Sequence, residues 1–426
     1  MTSPHLTSTR DSLVIVDGVR TPFVKMGGAL AGIDATEQGR IVVQTLLART
    51  GIDPALVDEV LFGCVSQPAD AANIARVIAL RAGLPEKTPA MTVHRNCASG
   101  LEALTTASER AATGRGEIFI VGGTENMSRI PLLFTLAAAA KFAALTRAKT
   151  AGGRVAAASA FRPSDFAPVI GLKLGLTDPV SGLNMGETAE VLAREFGILR
   201  EEQDLFALES HRKAAAAREL FSSEICPVYL PDAKAGYVDR DNGIREQQTL
   251  EALARLRPVF AGPTGTVTPG NSSQITDGAV ALLVMTEAKA EALGLEPLGR
   301  LVDHAYSGCD PRRMGLGPAF AIRDLHERTG LTPQDADLVE INEAFAAQVL
   351  AVLRLLDSPD FDGLSLPKDR LNPCGGAIAL GHPVGATGAR LVLTALKQLR
   401  ATGGKRALVS LCIGGGQGAA AWLETL

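Results

Sequence analysis

Short runs of apolar and β-branched residues recur along the chain, separated by longer Ala/Leu/Arg-rich segments. Leu13 to Val16, Glu59 to Phe62, Ile118 to Val121, Val280 to Met285, Leu338 to Ile341 and Ala407 to Leu411 are apolar almost throughout. Short continuous runs of this kind predict strands buried on both faces. The segments Gly39–Thr50, Leu101–Thr113 and Gly388–Ala401 predict helices between them. Strands alternating with helices predict an α/β fold.

The pattern occurs twice. The run from Thr50 to Gly63 lies on the run from Thr329 to Asn342 without a gap, with Pro54 opposite Pro333. Next, Ala98-Ser99-Gly100 opens a helix that stops at Thr113-Gly114. Ala386-Thr387-Gly388 opens another, which stops at Thr402-Gly403. Two generic α/β units can look alike by chance, but two matches in one order with nearly equal offsets favour duplication. The expected organisation is an N-terminal half (1–126 and 276–297), a C-terminal half (298–426) and an inserted domain (127–275) with no counterpart in the second half. Within the insertion, Ile130 to Ser164 carries Lys141, Arg147, Lys149, Arg154 and Arg162 and no acidic residue. A basic, apolar segment suits a membrane surface or a partner protein. Leu132, Leu133, Phe134 and Leu145 form no single helical stripe, however, so an ordinary surface helical subdomain is the preferred expectation.

Composition narrows the function classes. The 426 residues are 46% hydrophobic and 21% charged, which is globular and not disordered. A net charge of −4 and 4% aromatic residues leave neither a basic footprint nor stacking platforms for nucleic acid. The cysteines Cys64, Cys97, Cys226, Cys309, Cys374 and Cys412 form no Cys-x-x-Cys pair and no metal-site spacing. Reduced thiols, a polar Met1–Asp11 without a signal-peptide core, and no spanning apolar stretch predict a cytoplasmic protein.

Three glycine-rich segments carry nucleophile-type residues: His94 to Ala103 around Cys97, Gly375 to Gly388 around His382, and Cys412 to Gly418. The repeat puts Cys97 and His382 at equivalent ends of the two halves, each just before a helix. A helix N-terminus presents free N–H groups, so it should lower the Cys97 pKa and offer donors to an oxyanion. Alone, each residue is weak evidence, since a lone Cys is usually a small buried hydrophobe. Cys64, Cys226, Cys309 and Cys374 are read that way.

Five motifs together resemble the thiolase family of acyl-CoA:acetyl-CoA C-acyltransferases. They are the Asn-Cys-Ala-Ser-Gly run at Cys97, Gly265–Gly278 around Asn271 and Ser273, Asn342–Gln348, Gly375–Gly388 and Cys412–Gly418. They stand in family order, and the resemblance covers nearly the whole chain. It implies a layered α/β sandwich of two duplicated halves, with a loop domain inserted in the first half over the coenzyme A site. It implies that Cys97 is the acylated nucleophile, His382 the base that takes its proton, and Cys412 the second acid/base in a ping-pong cycle. His382 and a water held by Asn342 would serve the enolate oxygen. The N–H groups of Cys97 and Gly414 would serve the tetrahedral intermediate. For coenzyme A, Arg245 would meet the nucleotide end and Ser273 the pantetheine, with Met185, Met314 and Phe345 along the channel. Coenzyme A would be substrate, with no resident cofactor and no metal, and the assembly a homodimer or homotetramer.

The chain departs from the family pattern in two places. Asn184 precedes Met185-Gly186, where many short-chain thiolases have His. The long 130–180 segment resembles that of the β-subunits of fatty-acid-oxidation complexes, many of which have His where this chain has Asn342. The leading expectation is a degradative 3-ketoacyl-CoA thiolase, with a biosynthetic acetyl-CoA acetyltransferase as the near alternative. A ketoacyl synthase shares the duplication but lacks a second cysteine like Cys412. A scaffold or membrane adaptor does not explain Cys97, Asn342, His382 and Cys412 together. A Rossmann dehydrogenase lacks its Gly-x-Gly-x-x-Gly after the first strand.

Overall fold

A computed structural model describes residues 12–361 and 363–426, so the polar stretch Met1–Asp11 lies outside the described residues. Nine strands run in line: β1 (Leu13–Arg20), β2 (Glu59–Gly63), β3 (Ala90–Val93), β4 (Ile118–Glu125), β5 (Thr276–Thr286), β6 (Gly299–Gly308), β7 (Leu338–Ile341), β8 (Arg406–Ile413) and β9 (Gln417–Glu424). Their spatial order is β7-β8-β9-β6-β1-β5-β4-β2-β3, and Val24–Lys25 pairs with β5 outside that line.

The order reads as one pattern used twice. The first half is β3-β2-β4-β5-β1, with β2 parallel to both β3 and β4. The second half is β7-β8-β9-β6, with β7 parallel to β8. Where the first half has β3, the second keeps one parallel bridge, Val339 to Leu371. The halves meet edge to edge, where β1 pairs antiparallel with β6 at Val14–Arg300 and Ile15–Gly299.

Side-chain alternation then sorts the layers. Leu13, Ile15, Phe119, Val121, Leu282 and Val284 point to one core, while Val14, Val16, Ile118, Ile120, Ala281 and Leu283 point to another. In the second half Val409, Leu411 and Ile413 join the first of these cores, whereas Val339, Ile341 and Leu408 face a third. The shared core is filled by two helices, α2 (Ser99–Ala112) and α7 (Thr387–Thr402). α7 is buried at every position from Thr387 to Leu396, as a helix between two sheets must be. The outer faces are covered by α1 (Ala35–Thr50) on one side, and by α5 (Gly317–Thr329) and α6 (Ala346–Leu356) on the other. The result is a layered sandwich of two α/β halves. The paired Ser-Gly and Thr-Gly of the repeat now have a reason: a Cβ at Gly388 would lie 2.4 Å from the Leu101 nitrogen, so glycine lets α2 and α7 approach.

Between β4 and β5 runs the inserted region, with α3 (Met185–Glu195) and α4 (Arg200–Ala216) packed toward the halves. It is anchored by Arg20 of β1. Its guanidinium is fully buried and bonds Glu224 (2.8 Å) and Asp241 (2.7 and 2.8 Å). The outer part carries helices at Leu136–Arg147 and Ala151–Ser159, and a small ring cluster of Phe134, Phe142, Phe161 and Phe166. The apolar residues spread over several faces. Leu136 is 91% exposed and Val180 82%. Among the described residues no helix is long and apolar enough to cross a membrane.

Candidate active site

Cys97 sits in the turn between β3 and α2. Asn96 before it takes φ +43°, a left-handed conformation that Asn tolerates better than most residues. The Asn96 side chain donates to the Gly414 carbonyl (2.7 Å), and the Gly414 N–H lies near enough to the Cys97 sulfur to favour its thiolate. Thus the turn after β8, in the second half, is locked to the Cys97 turn of the first. Cys412, near the end of β8, lies close enough to Cys97 for the Cys97 thiol to raise its pKa. It packs with Met185, Met314, Ala344 and Phe345.

His382 lies on the loop leading into α7. Its N–H donates to the Gln274 carbonyl (3.0 Å). Its Nδ1 is 2.6 Å from Thr387 Oγ1, and that hydroxyl donates to the Pro383 carbonyl (3.0 Å). Because the hydroxyl proton is used, Nδ1 carries the imidazole proton and donates. Nε2 is the free lone pair, buried with no protein partner. The loop reaches the Cys97 turn through glycines: Gly63 is wedged between Ser99, two residues after Cys97, and the Gly385 carbonyl, three residues after His382.

Two further segments complete the site. Ser273 N–H donates to the Ala344 carbonyl (2.9 Å), and Ser272 bridges Phe345, so the Asn271–Gln274 segment is stitched to Asn342–Phe345. Asn342, just past β7, is fully buried, yet neither side-chain polar atom has a protein partner. A strand-end cap would use those atoms on the backbone, and Asn342 does not. Its neighbour Glu343 is fully held, accepting from Ser210 (2.6 Å), Asn372 (2.9 Å) and the Ile378 N–H (3.2 Å).

A cavity of about 370 Å³ opens beside these groups, lined by His382, Met185, Phe345, Ser273, Gln274 and Arg245. Asn184 also lines it, while capping α3: its side chain accepts from the Gly186 N–H (3.1 Å). Arg245 stands at the mouth, with its backbone N–H on His211 Nδ1 (3.2 Å). Met314 is the exception among the expected channel residues, since it is buried against Cys412 and does not line the cavity.

Electrostatics correct one expectation. The Cys97 pKa is raised, not lowered: burial pushes it up, and the N–H groups of Gly414 and of Cys97 itself offset only part of this. Cys412 is pushed well above the ordinary thiol range, by burial first and by Cys97 second. Burial, with Arg390 behind it, holds His382 down to about 4, so the imidazole rests neutral. Two neutral thiols and a neutral imidazole therefore share the resting site. Proton transfer must accompany thiol attack.

The site is thus a thiol near two backbone N–H groups, a second thiol beside it, and a tautomer-fixed imidazole on a cavity of about 370 Å³. Two family models match the chain: "Thiolase, N-terminal domain" over residues 13–288 and "Thiolase, C-terminal domain" over residues 295–425.

The chain belongs to the thiolase family.

It is therefore an acyltransferase. The 3-ketoacyl-CoA thiolases of Pectobacterium atrosepticum and of Yersinia pestis are each 40% identical to it, over 99% of this chain and 98% of theirs. The Bacillus anthracis acetyl-CoA acetyltransferase superposes with a TM-score of 0.87 at 37% identity, covering 97% of this chain and 99% of that one. Human mitochondrial 3-ketoacyl-CoA thiolase in complex with CoA gives 0.86 at 36%, covering 99% and 100%. The motifs did not single out Thr387, Asn96 and Glu125. Thr387 and Asn96 lie within motifs, but their bonds reach partners that only the folded loops supply.

Proposed function

We propose that this thiolase is a degradative 3-ketoacyl-CoA thiolase, cleaving its substrate with coenzyme A to acetyl-CoA and a shortened acyl-CoA. The observation that carries the residue roles is the Asn96 bond to the Gly414 carbonyl, which holds the turn after Cys412 against the Cys97 turn. In the first half-reaction the Cys97 thiol gives its proton to His382 Nε2, and its sulfur attacks the 3-keto carbon. The N–H groups of Cys97 and Gly414 receive the alkoxide. The C2–C3 bond then breaks, leaving an acyl thioester on Cys97. The departing enolate is held by protonated His382 and a water on Asn342, whose free polar atoms suit that task, and takes its proton from Cys412. In the second half-reaction coenzyme A gives its thiol proton to the Cys412 thiolate and attacks the acyl group. Cys97 leaves and recovers its proton from His382. Arg245 at the cavity mouth suits the nucleotide phosphates, Ser273 the pantetheine arm, and Met185 and Phe345 the region near the thioester. Coenzyme A is a passing substrate in this scheme, and no resident cofactor or metal takes part.

Mixing the enzyme with a 3-ketoacyl-CoA and mapping the adduct by mass spectrometry tests the scheme: the acyl mass belongs on Cys97, and an adduct elsewhere refutes it. Cys412→Ala should still acylate in part but fail to condense acetyl-CoA. The second reading, a biosynthetic acetyl-CoA acetyltransferase, is favoured by the likeness to the Bacillus anthracis enzyme. Parallel assays with acetoacetyl-CoA and a longer 3-ketoacyl-CoA separate them, and a pronounced preference for the four-carbon substrate overturns the degradative assignment.

The assembly is proposed as a homodimer or homotetramer in the cytoplasm, where reduced thiols persist. The exposed Leu136, Val155 and Val180 support a contact role for the 130–180 segment, toward a β-oxidation partner subunit or a lipid surface. Unchanged vesicle co-sedimentation after deleting residues 130–164 removes the lipid option.

A further inference from the structure

One buried carboxylate near the site has no part in the scheme above. Glu125 ends β4 and is fully buried. Its Oε2 accepts the N–H groups of Val65 (3.0 Å) and Gly385 (2.9 Å), and its Oε1 accepts that of Ser66 (2.8 Å). Val65 and Ser66 follow β2 in the first half. Gly385 belongs to the second half, three residues after His382 and two before Thr387. One side chain therefore ties the strand-end loop of one half to the loop that bears the imidazole of the other.

The rest of that contact is bare backbone. The Gly385 carbonyl sits in a notch of glycines, where a Cβ at Gly123, Gly63 or Gly100 would come within 1.9, 2.8 and 3.0 Å of it. Close packing limits how far the loop can press inward. It does not stop the loop from lifting away. The three N–H bonds to Glu125 supply that restraint, and charge-assisted bonds of this kind are the strong ones. The duplication points to the same spot. By the offset between Ala98 and Ala386, Gly385 stands where the first half has Cys97. By the offset between Thr113 and Thr402, Glu125 stands where the second half has Gly414. One of these pairs, each reaching across the halves, is the Cys97 thiol and the Gly414 N–H near it. The other is the Gly385 N–H and the Glu125 carboxylate that accepts it.

We propose that Glu125 is a positioning residue for acyl transfer: as a carboxylate accepting three backbone N–H bonds, it holds the His382 loop in register with Cys97 and touches no substrate. The proposal rests on Cys97 and His382 being nucleophile and base. The groups facing the carboxyl are Cys64, whose Sγ is 4.0 Å from Oε1, and the Asp277 side chain of β5, while Cys97 feels its charge. Burial pushes its pKa up to about 7, against the pull of the three N–H groups. The clamp therefore weakens as the carboxyl gains a proton, since a protonated oxygen accepts less well.

The test compares the full-length enzyme with Glu125→Gln. An amide offers one acceptor oxygen and an NH2 group, so at least one of the three N–H groups loses its partner. The expected result is a kcat lower by about ten- to hundred-fold, with the KM for coenzyme A nearly unchanged. The acidic limb of the wild-type kcat profile near pH 7 should also vanish in the variant. A folded Glu125→Gln enzyme with wild-type kcat and an unaltered pH profile overturns the proposal. If the variant does not fold, hydrogen exchange on the wild type decides. The Val65, Ser66 and Gly385 amides should be protected above pH 7 and less so below it, after correction for intrinsic rates, and pH-independent protection overturns the clamp. Cys97→Ala and His382→Ala run alongside. Activity surviving in these refutes the assignment of nucleophile and base. Their inactivity beside a fully active Glu125→Gln refutes only the role of Glu125.

Discussion

Which nitrogen of His382 is free to serve as the proposed base is decided by Thr387. The Thr387 hydroxyl spends its proton on the Pro383 carbonyl and so accepts from Nδ1–H, which turns the Nε2 lone pair toward the cavity. Thr387→Val removes the acceptor and leaves a buried N–H unpaired, a loss of about 1.5 kcal/mol or roughly tenfold in kcat. Steady-state kinetics should show that fall with KM little changed, and Thr387→Ser should restore the rate. Cys97, His382 and Cys412 were legible as candidates because their reactivity is a property of residue type in a glycine-rich context. Thr387 was not, because its role depends on a loop bringing a hydroxyl five residues away onto one ring nitrogen. The expected thiolate at Cys97 failed for a related reason: the helix N-terminus was weighed alone, whereas the folded site also removes water, and burial outweighs the nearby N–H groups.

Among the elements, the six strands expected from apolar runs all form, and the three that were missed explain themselves. β3 is short and follows Pro89. β6 breaks the alternation of a half-buried strand, with Leu301-Val302 and Asp303-His304 side by side at a register shift. β9 is Ala-rich from Ala419 to Ala421, a composition that favours helix in isolation. It becomes a strand because β8 and β6 flank it on both sides and its small side chains fit between α5 and the central core. Close backbone approach rules the loop elements too. A methyl on Gly123 would lie 1.9 Å from the Gly385 carbonyl, so Gly123→Ala must displace the His382 loop or the strand. Chemical denaturation should register a loss of about 1–3 kcal/mol, accompanied by reduced kcat.

Across the whole molecule, buried charges tie the parts together. Arg20 joins β1 to the inserted region through Glu224 and Asp241, all buried. Arg20→Ala strands two carboxylates in the interior, and urea unfolding should show a loss of about 3–5 kcal/mol. The imidazole of His211 beneath Arg245 gives a pH signature. Burial and Arg245 lower its pKa from 6.5 to about 4. Between those values the unfolded chain binds a proton that the folded chain refuses, so stability falls on acidification through that window and is level above it. Glu125 and Glu340, raised to about 7, pull the opposite way. The measurement is therefore the difference between wild type and His211→Gln, which should shrink as the pH drops from 6.5 toward 4.

What the amino-acid order determined by itself was the internal repeat, the α/β class and the candidates for the reactive groups, because periodicity and residue chemistry are local properties. Tertiary structure decided the rest: the sign of the Cys97 shift, the tautomer of His382, the unpaired side chain of Asn342 and the grip of Glu125 on Gly385. Each depends on which distant atoms approach and how much water they exclude, and those quantities arise only when the two halves close on each other.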